Sequence, residues 1–394
     1  MKKKIIILGA SLLQIPAIKK AKEMGLHVIS IDMDENAAGF KYADESYTIS
    51  TNDVEEVLRI SRKIKPDAII TIASDKPMIT VARVGKELGL NTISESTSIK
   101  VTNKARMREC LEYNKIPIPR FKVINNKDSY LEYTDQMSEM FIVKPADNSG
   151  SRGIFLVKDR CEAIDAYNYS SKYSSTGEIL VEEYIEGAEV SVESLTLNGR
   201  TEIISITDKS TTGAPYFVEL GHSIPSILDE KTQLQIKEIT IGAIKALGIN
   251  IGPAHTEIKI TKDGPKIIEV GARLGGDNIT TDLVPLSTGI NMVECCIKLA
   301  LGHEIEINEK KDNGSAIRYF ESEPGILKNI ENLDDVITQP GVVDIVFTKK
   351  IGDNITEVKS SSDRIGYVIC QADTSTEAIN LCEKVKKEIN IKIN

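Results

Sequence analysis

The chain has no tryptophan, only four histidines and few aromatic residues of any kind. None of the histidines stands in an HxxxH or HExxH spacing, which argues against a zinc hydrolase. Cys110, Cys161, Cys295, Cys296, Cys370 and Cys382 make no CxxC pair and fall within apparent helices or strands, as reduced thiols of a cytoplasmic protein do. Lys and Arg number 49 against 58 acidic residues, a net charge of −9. No surplus of cations is therefore available to replace counterions along a nucleic-acid backbone. After Lys2, Lys3 and Lys4 the apolar run is as short as IIILGA, a strand rather than a signal peptide or membrane span. No repeat or low-complexity tract is present.

What is there is regular alternation in the first part of the chain. Lys4 to Gly9 reads as an apolar strand, Ile15 to Met24 carries a helical stripe, and VISID is a second strand. Helix Val54 to Ile64, strand Ala68 to Ile72 and helix Met78 to Leu88 continue the pattern of a doubly wound α/β sheet. The first turn, GASLLQ, lacks the GxGxxG spacing that lets a backbone approach a pyrophosphate. Structural use of the fold therefore outweighs a nicotinamide site, although Asp32 ends the second strand. One helix is expected over Ser98 to Asn114, stopped by the prolines of Lys115 to Pro119. A first domain boundary is expected near Ser94. Further helices are expected over Thr232 to Leu247 and Asp282 to Leu301. From about Gly302 come short strands (SAIRYF, GVVDIVFTKK, GYVICQAD) and a closing helix over Thr374 to Glu388, a small α+β or half-barrel domain. There Arg318 reads as covering apolar surface with its stem.

The most informative stretch is HTEIKITKDGPKIIEVGARLGG, His255 to Gly276. Two β-patterned runs flank turn chemistry, so it reads as a hairpin. A five-residue loop centred on Asp263 sets Glu257 opposite Glu269, two carboxylates roughly 5 Å apart. Such a pair calls for a cation between them or a proton on one, and a hard divalent ion shared with phosphate oxygens suits it. Arg273 adds a fork-shaped cation for phosphate or acyl phosphate. A two-residue Asp263-Gly264 loop would instead pair Glu269 with Ile258, and a solvated surface hairpin is the plain alternative.

Upstream, FIVKPADNSGSRGIFLV (141–157) brings Lys144 to a loop in which Gly150 and Gly153 can turn N–H groups toward an anion and Ser149 and Ser151 add hydroxyls. It is not a Walker A loop, because the GK[ST] ending is missing and a strand follows. The strand end Glu182-Glu183-Tyr184-Ile185 offers a donor and acceptor pair with an apolar slot for a base, and Glu189 a carboxylate for a ribose. In TTGAPYFVELGHSIP (211–225), Glu219 and His222 fall three apart. Each of these motifs taken alone also fits a solvated loop or strand face.

In order, the motifs resemble the ATP-grasp superfamily of carboxylate–amine ligases over nearly the whole chain. NKARMRECLEYNKIPIP is similar to the helix that opens the nucleotide domain, which implies a phosphate contact for Lys104. FIVKPADNSGSRG resembles the second phosphate lysine and glycine-rich lid, placing Lys144, Ser149, Gly150 and Ser151 over ATP. VEEYIEGAEVSVE resembles the hinge, with Glu182 for the adenine amine, Glu183 and Ile185 for the ring and Glu189 for ribose. HTEIKI and IIEVGARLGG are similar to the metal strands, with Glu257 and Glu269 as ligands of Mg²⁺ or Mn²⁺. Most members carry an asparagine two residues after the second glutamate, and here that position is Gly271. EVGARLGG with ELGHSIP looks most like the L-amino-acid ligases that make dipeptides, implying substrate or catalytic contacts for Glu219, His222, Lys144 and Arg273.

The resemblance implies a pre-ATP-grasp Rossmann-like domain over 1–94, a nucleotide domain over 95–301 with a lid at about 120–181, and a C-terminal α+β domain over 302–394. Its expected reaction is ATP-dependent amide formation through an acyl phosphate, with amino acids as small-molecule partners. Neither nucleic acid nor membrane is expected as a partner, and a homodimer is common in the superfamily. The alternatives are a bicarbonate-activating, biotin-carboxylase-like enzyme and a nucleotide-binding regulator without turnover.

Overall fold

In the computed structural model residues 2–137, 139–148, 150, 152–307 and 311–394 are described. Strands β1 (Lys4–Leu8), β2 (His27–Asp32), β3 (Glu45–Thr48) and β4 (Ala68–Thr71) pair in parallel in the order β3-β2-β1-β4. β1 and β4 are apolar throughout because both faces of the sheet are covered. Period-two alternation sends Ile5 and Ile7 into one core with α1 (Ile15–Glu23), and Ile6 and Leu8 into another with α2 (Val54–Ile64) and α3 (Met78–Leu88).

The helix expected over Ser98 to Asn114 is two helices, α4 (Glu95–Thr102) and α5 (Lys104–Tyr113). Asn103 is extended between them (φ −119, ψ 114), and its side chain accepts from Arg106 N. An asparagine that can cap a new helix competes with continuing the old one. The break puts Lys104 at the first position of α5, with its N–H donating to Ala146 O at 2.7 Å.

A four-stranded antiparallel flap follows, from β5 (Phe121–Ile124), α6 (Lys127–Thr134), β6 (Phe141–Pro145), β7 (Phe155–Val157), α7 (Ala163–Ser171) and β8 (Ile179–Glu183), in the order β5-β8-β6-β7. It has its own core around Tyr130, Phe141, Val143 and Val181.

The body of the molecule is an eight-stranded sheet. β9 (Ala188–Leu197), β10 (Arg200–Thr211), β11 (Glu219–Ile224), β12 (Gly252–Thr261) and β13 (Gly264–Gly271) supply five strands, with α8 (Glu230–Leu247) against them. The helix expected over Asp282 to Leu301 is instead a π-helical turn at Ile279–Leu283 and two short helices, α9 (Val284–Thr288) and α10 (Met292–Ala300). Gly289, in the left-handed region at φ 75, ends α9, and Asn291 caps α10.

The last segment holds β14 (Gly314–Tyr319), β15 (Gly325–Glu331), α11 (Leu333–Ile337), β16 (Val342–Phe347), β17 (Asn354–Ile355), β18 (Gly366–Ala372), α12 (Ser375–Glu388) and β19 (Asn390–Ile393). β14, β18 and β16 extend the large sheet, giving the order β13-β12-β9-β10-β11-β14-β18-β16, while β17-β15-β19 forms a separate three-stranded sheet. Among the described residues no single helix is long and apolar enough to cross a membrane.

Candidate functional site

The β12–β13 hairpin does set Glu257 opposite Glu269, by a route different from the expected five-residue loop. Thr261 pairs with Gly264, so the loop has two residues, Lys262 and Asp263. The register then shifts between Glu257 and Ile258, which leaves Ile268 as an extra residue on β13. That bulge restores the acidic pair. It also frees the Ile268 carbonyl to accept from Arg108 Nη2 at 2.8 Å.

Each of the two carboxylates stands against its own lysine. Lys104 Nζ donates to Glu269 Oε1 at 2.8 Å and to Asn148 O at 2.8 Å. Lys209 Nζ donates to Glu257 Oε1 at 3.1 Å and Glu189 Oε1 at 2.7 Å, and stands 3.7 Å from Glu219. Burial pushes the Glu257 carboxyl up, but Lys209 and His255 outweigh it and hold it well below the ordinary range. Burial alone would lower His255, yet its contact with Glu193 raises it to about 9.

Every candidate among the described residues lines one cavity of about 510 Å³ between the flap, the large sheet and the N-terminal sheet. Lys104, Lys144, Gly150, Glu182, Glu183, Ile185 and Glu189 line it from the flap side and its neighbours. Glu257, Glu269, Arg273, Glu219 and His222 line it as well. Ser149 and Ser151 lie outside the described residues.

The Glu182 carboxylate is held 2.7 Å from Arg108 Nε and 2.6 Å from Lys144 Nζ, all three side chains buried. Burial pushes this carboxyl up, but the two cations prevail and leave it at about 2. The same burial lowers Lys144, against the pull of Glu182. Lys259 Nζ donates to Ile185 O at 3.3 Å and sits 5.7 Å from the Tyr184 ring centroid.

Arg273 is oriented by Asp75, from the loop after β4, through Nε to Oδ1 at 2.8 Å and Nη2 to Oδ2 at 3.2 Å. A Cβ at Gly271 would stand 2.7 Å from Asp75 Oδ1. A side chain at Gly271 would therefore collide with the Asp75–Arg273 pair.

Asp75, Arg108, Glu193, Lys209, His255, Asp277 and Arg364 escaped the reading of the sequence. Lys209 alone left a trace, a lysine in an alternating strand at a position that turns out to be buried. The others are joined to the site only by tertiary contact.

The sequence profile of the ATP-grasp domain matches residues 137–282, and that of L-amino acid ligase C-terminal domain 2 matches residues 318–394. The chain carries the ATP-grasp domain of the ADP-forming carboxylate–amine ligases, followed by an L-amino acid ligase C-terminal domain. Enzymes of this ADP-forming class use ATP and divalent metal ions. The chain is 24% identical to an L-amino acid ligase from Bacillus licheniformis, with a TM-score of 0.88 over 100% of this chain and 99% of that one, which shows the shared fold. It is 21% identical over 338 residues to the L-arginine-specific L-amino acid ligase of Bacillus subtilis, covering 82% of this chain and 80% of that one. It is also 26% identical over 227 residues to a formate-dependent phosphoribosylglycinamide formyltransferase of Hydrogenovibrio crunogenus, where the match covers 56% of this chain and 53% of that enzyme's length.

Proposed function

We propose that this ATP-grasp ligase joins an amino acid to an amine, activating the carboxylate as an acyl phosphate and releasing ADP and phosphate. The observation that carries the reading is the facing pair Glu257 and Glu269, in one cavity with Lys104, Lys144 and Arg273. The base enters between Ile142, Tyr184, Ile185 and Ile268, ribose meets Glu189, and the phosphates run toward Lys104, Lys144 and the Gly150 loop. The substrate carboxylate lies between Arg273 and the γ-phosphate, with Glu219 and His222 around the rest of it.

The donor set fits a hard divalent ion: two carboxylates facing each other on adjacent strands, opening on the phosphate path. Glu257 and Glu269 would hold such an ion. When bound, the ion neutralises charge on the phosphates. The chain's own residues do the rest. Carboxylate oxygen attacks the γ-phosphorus, the bond to the β-bridging oxygen breaks, and Lys144 and Arg273 face the charge that develops there. The amine then attacks the acyl carbon, expelling phosphate and losing a proton. The flap over the cavity keeps water from the acyl phosphate. The domains follow these roles: 1–94 contributes Asp75, 95–301 holds the nucleotide, and 302–394 closes the substrate end. The six unbonded cysteines support a reducing, cytoplasmic setting.

ADP release over a grid of paired amino acids, with hydroxylamine trapping of the acyl phosphate, tests the reading. Hydroxamate and ADP formed with an amino acid are expected. ADP release with bicarbonate and none with amino acids would favour the carboxylase alternative, and tight ATP binding without any phosphate release the regulator.

A further inference from the structure

Beyond Arg273 the cavity ends in a cluster built from three distant segments. Asp277 follows β13 at φ 50, a left-handed backbone that a residue with a side chain keeps only when its surroundings hold it. Arg364, two residues before β18, provides that hold. Its Nη1 and Nη2 donate to Asp277 Oδ2 and Oδ1, both at 2.8 Å. The guanidinium lies 3.7 Å over the Tyr319 ring, and Nη1 also donates to Glu219 O at 3.3 Å. The pair holds the Asp277 carboxyl far below its usual range against the opposing effect of burial. Asp277 lines the cavity; Arg364 lies behind it.

His222 completes the wall. Its side chain is 1% exposed, its Nε2 stands 3.5 Å from Asp277 Oδ2, and neither ring nitrogen has a hydrogen-bond partner. A buried imidazole with two open nitrogens is satisfied by a polar group of a ligand. An apolar group placed there would desolvate the imidazole and the ion pair and return no hydrogen bond. Sites built in this way discriminate strongly against ligands that lack the matching polar group.

Building on the carboxylate-activating reading above, we propose that Arg364 is a positioning residue: through Asp277 it makes the far end of the cavity selective for an amino acid with a small or hydrogen-bonding side chain over a bulky apolar one. Arg364 touches no substrate itself. It fixes where the Asp277 carboxylate stands and how much room remains beside His222.

The test compares the full chain with Arg364→Ala, Arg364→Lys, Asp277→Ala and Asp277→Asn, offering serine, alanine, leucine or phenylalanine as the acid with one amine, ATP and magnesium. ADP release separates kcat from KM. Calorimetric binding of the same acids in the presence of AMP-PNP reads selectivity without turnover. The two alanine variants are expected to lose about tenfold or more of the serine-over-leucine preference, chiefly in KM, while Arg364→Lys keeps part of it and the KM for ATP is unchanged. Unaltered preference in the alanine variants overturns the proposal. So does a loss that falls equally on every acid and on ATP, the mark of a merely structural residue. If no acid elicits ADP, the ligase reading fails, while the binding series still decides Arg364: equal selectivity in parent and variants, or no binding by the parent, overturns it.

Discussion

At the scale of single residues, the site sets each of its buried carboxylates against at least one cation. Glu269 faces Lys104 and Glu257 faces Lys209, so removing one carboxylate leaves the opposite strand intact. Glu269→Gln is expected to lower kcat for ADP release by about 10²-fold or more with an unchanged melting temperature. Full turnover in that variant would remove the assignment of Glu269 to the metal. Glu182 is the clearest titration. Its carboxyl lies at about 2 against an ordinary 4.5, held down by Arg108 and Lys144. A group depressed on folding stabilises the protein above its unfolded value, and that contribution fades as the pH falls from 4.5 toward 2. Urea midpoints taken between pH 6 and 3 are therefore expected to drop more steeply for the parent chain than for Glu182→Gln; equal slopes would deny Glu182 this role. How legible such residues were depended on whether their partners are local. Lys144, Glu182, Glu257 and Glu269 announced themselves through strand and turn patterns. Arg108 gave no sign, because on α5 it looks like any helical arginine until Glu182, 74 positions away, folds against it.

At the scale of elements, two departures share an origin, a short polar residue or glycine winning over continued periodicity, and a third lies in strand register. Asn103 starts a new helix, Gly289 and Asn291 divide another, and the bulge at Ile268 corrects the register that the tight Lys262-Asp263 turn imposes. Hydrophobic pattern alone carries no information about an extra residue in one strand, so the facing glutamates were expected from the wrong loop. Contact between elements sets a sharper constraint at Gly314, where β14 crosses the start of α12. A Cβ there would lie 1.9 Å from the Thr374 carbonyl carbon and oxygen. Both atoms are backbone and cannot rotate away, so Gly314→Ala is expected to destabilise the chain by about 1–3 kcal/mol, read as a lower urea midpoint. An unchanged midpoint would mean that α12 moves freely relative to the sheet.

At the scale of the whole molecule, the N-terminal sheet was open to reading because each of its strands is a short apolar run between helical stripes. The joining of the last segment to the large sheet was not, since pairing between β11 and β14 spans a sequence separation that no local pattern records. The flap, by contrast, pairs with neither sheet: its four strands form ladders only with one another. ATP with magnesium is thus expected to slow amide hydrogen exchange most in β5 to β8, and little in the centre of the large sheet. Uniform protection across the chain would rule out the flap as the part that closes.

The β11–β14 ladder also limits how the polypeptide can be shortened. Ending the chain near Leu301 would strip β14 from its neighbour and leave the backbone donors and acceptors of Gly221 to Ile224 facing solvent. A bare rim of that kind invites pairing with other molecules. A fragment trimmed to the ATP-handling portion would therefore tend to precipitate, and anyone seeking a minimal version should retain the tail or cap that rim with charge.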